Sequence, residues 1–188
     1  MLFRSDAAYI TQSDKHSRHG WSLHFQYADG SLSAAFAWKA FVKQGPVAQS
    51  TAEAEYIAAG SAVGAVQSVL GLLDELGLRH AESPIMRIDN TSTINQIQSG
   101  VHSLERHVDL KYRKLHRLHR EGAVTLEHVS GEDEIADILT KTLPVPAFRK
   151  LRNGLFGYPF DYEYRLPADP TIAARLSAVS SGVPLFSV

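Results

Sequence analysis

The chain has 188 residues, 44% of them hydrophobic and 21% charged, which is enough for one domain with extensions and a real core and excludes wholesale disorder. A net charge of −1 leaves no global field for nucleic acid or membrane, so any basic surface must be local. With no cysteine, no apolar run approaching the roughly 20 residues of a membrane span and no signal-peptide core in "MLFRSDAAYITQ", disulfides, thiolate sites and cysteine nucleophiles are excluded and an intracellular protein is expected.

In chain order, "LFRSDAAYI" predicts a short strand ending near Asp6. "GWSLHFQYADGSLSAAFAWKAFV" predicts a hairpin turning at Asp29-Gly30, with Trp21, Leu23 and Phe25 alternating on one side. From Thr51 to about Leu76, Ile57, Val63, Val66, Leu70 and Leu73 recur at helical spacing, and Gly77 closes the run. "PIMRIDN" predicts a strand ending at Asp89, followed by a short helix from Thr91 to Gln98 stopped by Gly100. "VDLKYRKLHRLHREG" predicts a helix with Val108, Tyr112, Leu115 and Leu118 on one face and basic residues elsewhere. "AVTLEHV" predicts a strand, and "IADILTKTL" a last helix before Pro144. Beyond it, residues 145–188 hold prolines, the aromatic stretch "FGYPFDYEY" and a small-residue end, and are expected to form an extension to a 1–144 domain. Hairpins followed by strands alternating with helices predict an α/β fold, a mixed sheet covered by helices.

Four acids stand near the ends of these elements in apolar surroundings: Asp6 in "LFRSDAA", Glu55 in "AEAEYIAA", Asp89 in "IMRIDN" and Asp137 in "EIADIL". On a helix Glu55 shares a face with Ala58 and Ala59 and is drawn inward, whereas Glu53 points elsewhere, towards solvent. Taken singly, each acid has a structural explanation. Glu55 suits a helix start beside the N-cap candidates Ser50 and Thr51, Asp6 a turn, Asp89-Asn90 an N-cap pair and Asp137 an exposed helix face. Taken together, segments ending in one crevice of a sheet would bring the carboxylates close, and their repulsion calls for a hard divalent cation such as magnesium.

The nine histidines lack the spacing of a zinc site: His16 and His19 fall in a predicted loop, and His116 and His119 lie on the basic helix. His128 falls inside a predicted strand and is not assigned to catalysis. Lys111, Arg113, Lys114, Arg117 and Arg120, with His116 and His119, form either a solvated helix face or a surface that tracks phosphates, which Arg106 and His107 would extend. Asn90 and Ser92 are candidates for hydrogen bonds to a nucleic-acid backbone or 2′-hydroxyl.

Five stretches, "SDA" (5–7), "STAEAEYIAA" (50–59), "IDNTSTI" (88–94), "ERHVDLKY" (105–112) and "ADILTKTLP" (136–144), resemble in order the ribonuclease H domain of copia-type retrotransposon polyproteins. The last two are the most specific. The resemblance implies an RNase H-like fold with a five-stranded mixed sheet and flanking helices. It also implies hydrolysis of the RNA strand of RNA–DNA hybrids with two magnesium ions, manganese substituting, and 3′-hydroxyl and 5′-phosphate products. The family's acidic quartet falls on Asp6, Glu55, Asp89 and Asp137 as catalytic and metal-binding residues, Asp6 bridging both ions. Action during reverse transcription implies a reverse transcriptase domain of the same polyprotein as partner and cytoplasmic, virus-like particles as location. The chain departs from the family where "AAYITQSD" follows Asp6 in place of a tryptophan and a glycine, in the altered segment before Glu55, and in a short "HVSGEDEIAD" loop. These departures leave open a silent or domesticated module that binds nucleic acid or a protein without cutting, or a nuclease acting on DNA.

Overall fold

The computed structural model of the chain describes residues 1–9, 16–45, 48, 50–78, 82–100 and 109–163, without the side chains of 109–112. Five strands, β1 (Leu2–Ala8), β2 (Arg18–His24), β3 (Ala37–Lys43), β4 (Ile85–Ile88) and β5 (Thr125–His128), form one sheet in the order β3-β2-β1-β4-β5. The hairpin partners β1–β2 and β2–β3 are antiparallel, while β1–β4 and β4–β5 are parallel. The sheet is mixed, as the alternation of elements predicts.

Residue alternation gives the sheet two unlike faces. Phe3, Trp21, Leu23, Met86 and Ile88 project into the core together with Tyr56, Ala59, Ala62, Val63 and Val66 of α1 (Thr51–Glu75). Helices α2 (Thr91–Ser99) and α3 (Asp109–Arg120) complete this layer through Ile94, Ile97, Leu115 and Leu118. The opposite face carries Arg4, Ser22, His24 and Arg87, and a chain with so polar a face needs charged partners there rather than a second apolar layer. By length and composition alone α1 could cross a membrane, against the expectation of no such run. Its alanines and valines lie instead against β1 and β2, as in the core helix of a globular domain.

Helix boundaries follow local chemistry. The Ser50 side chain accepts the Glu53 N–H at 3.1 Å, capping α1, and Gly77 takes the left-handed conformation just past its end. Gly100, also left-handed, closes α2, and a Cβ there would fall 2.7 Å from the His116 ring.

Several expectations are corrected. β1 runs on to Ala8, so Asp6 lies within the strand and not at its end. His19 belongs to β2, where its Nε2 lies 3.3 Å from Ser61 Oγ. Phe25 leaves the Trp21–Leu23 side and stacks on Phe36 at 4.5 Å. The predicted helix at "IADILTKTL" is only a 3-10 segment, Ile135–Leu139. Thr140 ends it, its hydroxyl drawn to Asp6, and Pro144 stands soon after to disfavour any continuation.

The described fold does not end at Pro144. Helix α4 (Val145–Leu155) follows directly, with Pro at its first turn, and buries Leu151, Asn153 and Gly154. Gly154 fits where a Cβ would stand 2.9 Å from Ile135 and 2.4 Å from Phe160. Lys150 pairs with Asp133 at 2.7 Å, and the aromatic stretch folds back so that Asn153 Nδ2 donates to the Tyr162 carbonyl at 2.7 Å. Residues 145–163 thus pack on the segment that bears Asp137, and residues 164–188 of the expected extension lie outside the described ones.

Candidate metal centre

Strand register places the first two acids. The parallel pairing of Leu2 with Ile85, Phe3 with Met86 and Arg4 with Arg87, carried two residues further, sets Asp6 beside Asp89 on the polar face. Asp137 reaches them from the 3-10 segment. Ligand oxygens of Asp6, Asp89 and Asp137 all lie within 4.8 Å of one another, a grouping the sequence anticipates.

Two features missed in the sequence bring Asp137 there. Gly20 is the register partner of Asp6 on β2, at a bulge, and a Cβ on it would stand 2.7 Å from Leu139 Cβ and 3.0 Å from the Lys39 carbonyl. Only a glycine lets the 3-10 segment lie this close to the sheet. The second is the buried pair of Arg4 and Glu134, 3.8 Å apart. Arg4 also donates to the Asp133 carbonyl at 3.0 Å, and Glu134 caps the 3-10 segment by accepting the Ala136 N–H at 2.9 Å. Strand β1 therefore holds, two residues before Asp6, the chain that presents Asp137. In the sequence only the acidic stretch "SGEDEIAD" hints at the cap, and nothing signals the Arg4 contact.

Glu55 stands just outside the triad, on the first turns of α1. Its Oε1 accepts from Asn90 Nδ2 at 3.1 Å and its Oε2 from the Thr93 hydroxyl at 3.3 Å. Glu53, expected in solvent, is as buried as Glu55, 5% against 6% exposed. Gln44, just past β3, donates from Nε2 to the Ala54 carbonyl at 2.7 Å beside this turn.

The electrostatics are those of crowded, desolvated acids. Burial, reinforced by the charges of Asp89 and Asp6 and opposed by the Asn90 and Thr93 hydrogen bonds, pushes Glu55 up to about 7. Burial and then the Asp6 charge raise Asp137 to about 6, and the same two causes raise Asp89. One cation answers them. Lys141 Nζ lies 2.7 Å from Asp137 Oδ1 and 3.2 Å from Asp6 Oδ1, while the Thr140 hydroxyl donates to Asp6 Oδ2. Burial works against the Lys141 charge, but Asp6 and the bond to Asp137 outweigh it and hold the ammonium above its ordinary value. Asp89 Oδ1 is buried with no hydrogen-bond partner. Lys141 escapes a search of the sequence for acids, although its i+4 spacing from Asp137 on a short helical segment would have found it.

The candidate nucleic-acid contacts divide. Arg113, Lys114, Arg117 and Arg120 are exposed on α3, with Arg117 paired to Glu121 at 3.8 Å. His116 and His119, expected on that basic face, turn inward: their Nδ1 atoms donate to the Ile97 carbonyl at 2.7 Å and the Val124 carbonyl at 3.2 Å. Asn90 is used within the protein, capping α2 by accepting the Ser92 and Thr93 N–H groups and donating to Glu55, whereas Ser92 is exposed. Arg106, His107 and the Lys111 side chain lie outside the described residues. His128 Nε2 donates to the Asp89 carbonyl at 3.1 Å, a bond that braces the end of β4.

No protein-family model matches the chain. It is 34% identical over 147 residues to the retrovirus-related Pol polyprotein from transposon RE1 of Arabidopsis thaliana, covering 77% of this chain and 10% of that protein. The corresponding polyprotein from transposon RE2 of the same plant is 31% identical over 147 residues, with the same coverage. The chain therefore spans about a tenth of the length of these curated relatives. Among solved structures, LC11-RNase H1 in complex with RNA/DNA hybrid superposes with a TM-score of 0.50 at 15% identity, over 74% of this chain and 92% of that one.

Proposed function

The chain is a homologue of retrovirus-related transposon Pol polyproteins built on the ribonuclease H fold, and from that premise we propose that it is a metal-dependent nuclease that hydrolyses the RNA strand of RNA–DNA hybrids. The observation that carries this proposal is the convergence of Asp6, Asp89 and Asp137 on the polar face, with Glu55 at the edge.

The donor set fits magnesium. Its atoms are all carboxylate oxygens, the hard ligands this ion takes, and the unpartnered Asp89 Oδ1 is an acceptor that a cation would satisfy. Asp6, Asp89, Asp137 and Glu55 would hold two ions, with manganese as a substitute. Bound there, such ions supply Lewis-acid stabilisation of the scissile phosphate and a water acidic enough to attack near neutral pH.

The chain's own residues aim and protect that chemistry. Thr140 fixes the Asp6 carboxylate from one side, leaving Oδ1 for a cation. Asn90 and Thr93 fix both oxygens of Glu55, which with Asp89 would help hold one ion and orient the water, and Asp137 would help hold the other. Asp6 and Glu55 sit on β1 and α1, Thr93 on α2, and Asp89, Asn90 and Thr140 directly at the ends of β4, α2 and the 3-10 segment, so the geometry is preorganised. Arg113, Lys114 and Arg117 would track phosphates without reading bases, and Ser92 would meet the backbone beside Asp89. A reverse transcriptase domain of the same polyprotein is the proposed partner, and cytoplasmic particles the proposed location.

Cleavage of labelled RNA–DNA hybrid, duplex DNA and duplex RNA by wild type and Asp89→Asn in magnesium tests the proposal. Hybrid cleavage by wild type alone is expected. Hybrid binding without cleavage by either would refute the nuclease and support a silent binding module, and preferred cleavage of duplex DNA would refute the hybrid substrate.

A further inference from the structure

Within the acid cluster the Lys141 ammonium touches Asp6 and Asp137 and leaves Asp89 Oδ1 unpartnered. Three carboxylates within 4.8 Å against one ammonium leave the cluster short of positive charge. Among the described residues Lys141 pairs with Asp6 and Asp137 and no third group, and its side chain is 35% exposed where Asp6 is 1% exposed. It approaches from the solvent side, on a flexible stem, over acids that are themselves fixed. An ammonium accepts no metal and offers no lone pair while protonated, so at this position it competes with a divalent ion for the same two oxygens.

We propose that Lys141 is a resident counter-cation: it neutralises the Asp6–Asp137 pair in the metal-free protein and must leave those oxygens when a divalent ion binds, so that loading is an exchange of cations. This rests on the metal-site reading above. Exchange has two consequences. The metal-free fold is held together without magnesium, because the ammonium suppresses repulsion between Asp6 and Asp137. Metal affinity is held down, because each binding event must first break two charge-assisted contacts. Once displaced towards solvent, the ammonium remains beside the site, within reach of a phosphate of the bound nucleic acid. A site of this kind loads most readily when a polyanion is present to take the displaced charge.

The test is calorimetric titration of magnesium chloride into the full chain without nucleic acid, for wild type, Lys141→Gln, Lys141→Arg and Asp89→Asn, together with melting of each in EDTA. Lys141→Gln is expected to bind magnesium about tenfold more tightly than wild type, because the two contacts that the ion must break are gone. It is also expected to melt lower in EDTA and to recover in magnesium. Lys141→Arg keeps the cation and is expected to follow wild type in both readouts. Equal or weaker magnesium binding by Lys141→Gln overturns the exchange, as does an arginine variant that behaves like the glutamine one. Asp89→Asn separates the two levels: magnesium binding as tight as in wild type would overturn the metal site itself. Should Lys141→Gln fold only in magnesium, the cation's structural role is upheld, and the arginine variant still decides the affinity.

Discussion

Replacing Glu55 by glutamine should stabilise the metal-free protein at alkaline pH while removing activity. The carboxyl is raised from 4.5 to about 7, so ionising it inside the fold costs about 3 kcal/mol at pH values well above 7. Only 6% of the residue is exposed, so solvent screening removes little of this. The sign follows from linkage. Between these two values the folded state binds the proton more tightly than the unfolded chain does, so stability is highest on the acid side and falls as pH rises through about 7. Glutamine can keep the local bonds: its oxygen accepts from Asn90 Nδ2, and its amide faces the Thr93 hydroxyl, which is free to donate to the Ala52 carbonyl 3.2 Å away. Thermal unfolding in EDTA should therefore show Glu55→Gln melting about 6–12 °C above wild type at pH 8.5, since about 1 kcal/mol corresponds to about 2–4 °C in a chain of this size. The advantage should vanish near pH 5. Equal differences at both pH values, or a less stable variant at pH 8.5, would refute the assignment of Glu55 as a desolvated acid. With magnesium present the order should reverse, because the glutamine offers the ion less charge.

Arg4→Met should be among the most damaging substitutions away from the acids. It strands Glu134 at 0% exposure without its counter-charge, which costs about 3–5 kcal/mol in urea unfolding. Most of that loss should return in the double variant Arg4→Met/Glu134→Gln; if it does not, the pair is not what holds the 3-10 segment down. Gly20→Ala should cost about 1–3 kcal/mol by overpacking against Leu139 and should weaken magnesium binding, because Asp137 is lifted away from Asp6. A variant as stable as wild type would show that the close approach is dispensable. Lys114→Gln should lower hybrid affinity and reduce the slope of log affinity against log salt by about 1, with turnover at saturating hybrid unchanged; an unchanged slope removes α3 from the interface.

What was legible in the sequence is what period and punctuation encode. The long helix between Ser50 and Gly77 and the short one between Asn90 and Gly100 carry their own caps, and the structure ends them within a residue or two of those marks; the turn at Asp29-Gly30 also forms, but the strands it joins stop at His24 and resume only at Ala37. The convergence of Asp6, Asp89 and Asp137 was legible from their apolar surroundings and their order along neighbouring elements of a mixed sheet, although Asp6 proves to lie inside its strand and Asp137 on a 3-10 segment. Lost were the features decided by tertiary approach. The 3-10 segment reads as a helix by composition, and only contact with Gly20 and the bond from Thr140 to Asp6 make it shorter and tighter. The inward turn of His116 and His119 depends on carbonyls of other elements, Ile97 and Val124, that no helical wheel contains. Helix α4 follows Thr140, Thr142 and Pro144 and carries Pro146 in its first turn, a stretch that looks like an ending, yet its buried side, Leu151 and Gly154, finds Ile135 to pack against.

The placement of charge on one face of the sheet explains why these missed features belong together. The apolar face is filled by α1, α2 and α3, and its packing leaves the acids no freedom to move in that direction. On the other face, Arg4 and Arg87 are neighbours in register and would repel if left alone; Glu134 answers one at 3.8 Å and Glu127 the other at 2.9 Å. Two residues further along the same strands the sign inverts, and Asp6 and Asp89 face one another with Lys141 as their nearby cation. A cation-rich row beside an anion-rich row means that the 3-10 segment must supply both an acid, Glu134, to the first and a lysine, Lys141, to the second. The five-residue segment, with Glu134 just before it and Lys141 two residues past its end, does so only because it is tightly wound and laid flat over Gly20. The segment that positions Asp137 is thus fixed at both ends by charge, and loosening either end should be felt first as a loss of metal affinity and only then as a loss of fold.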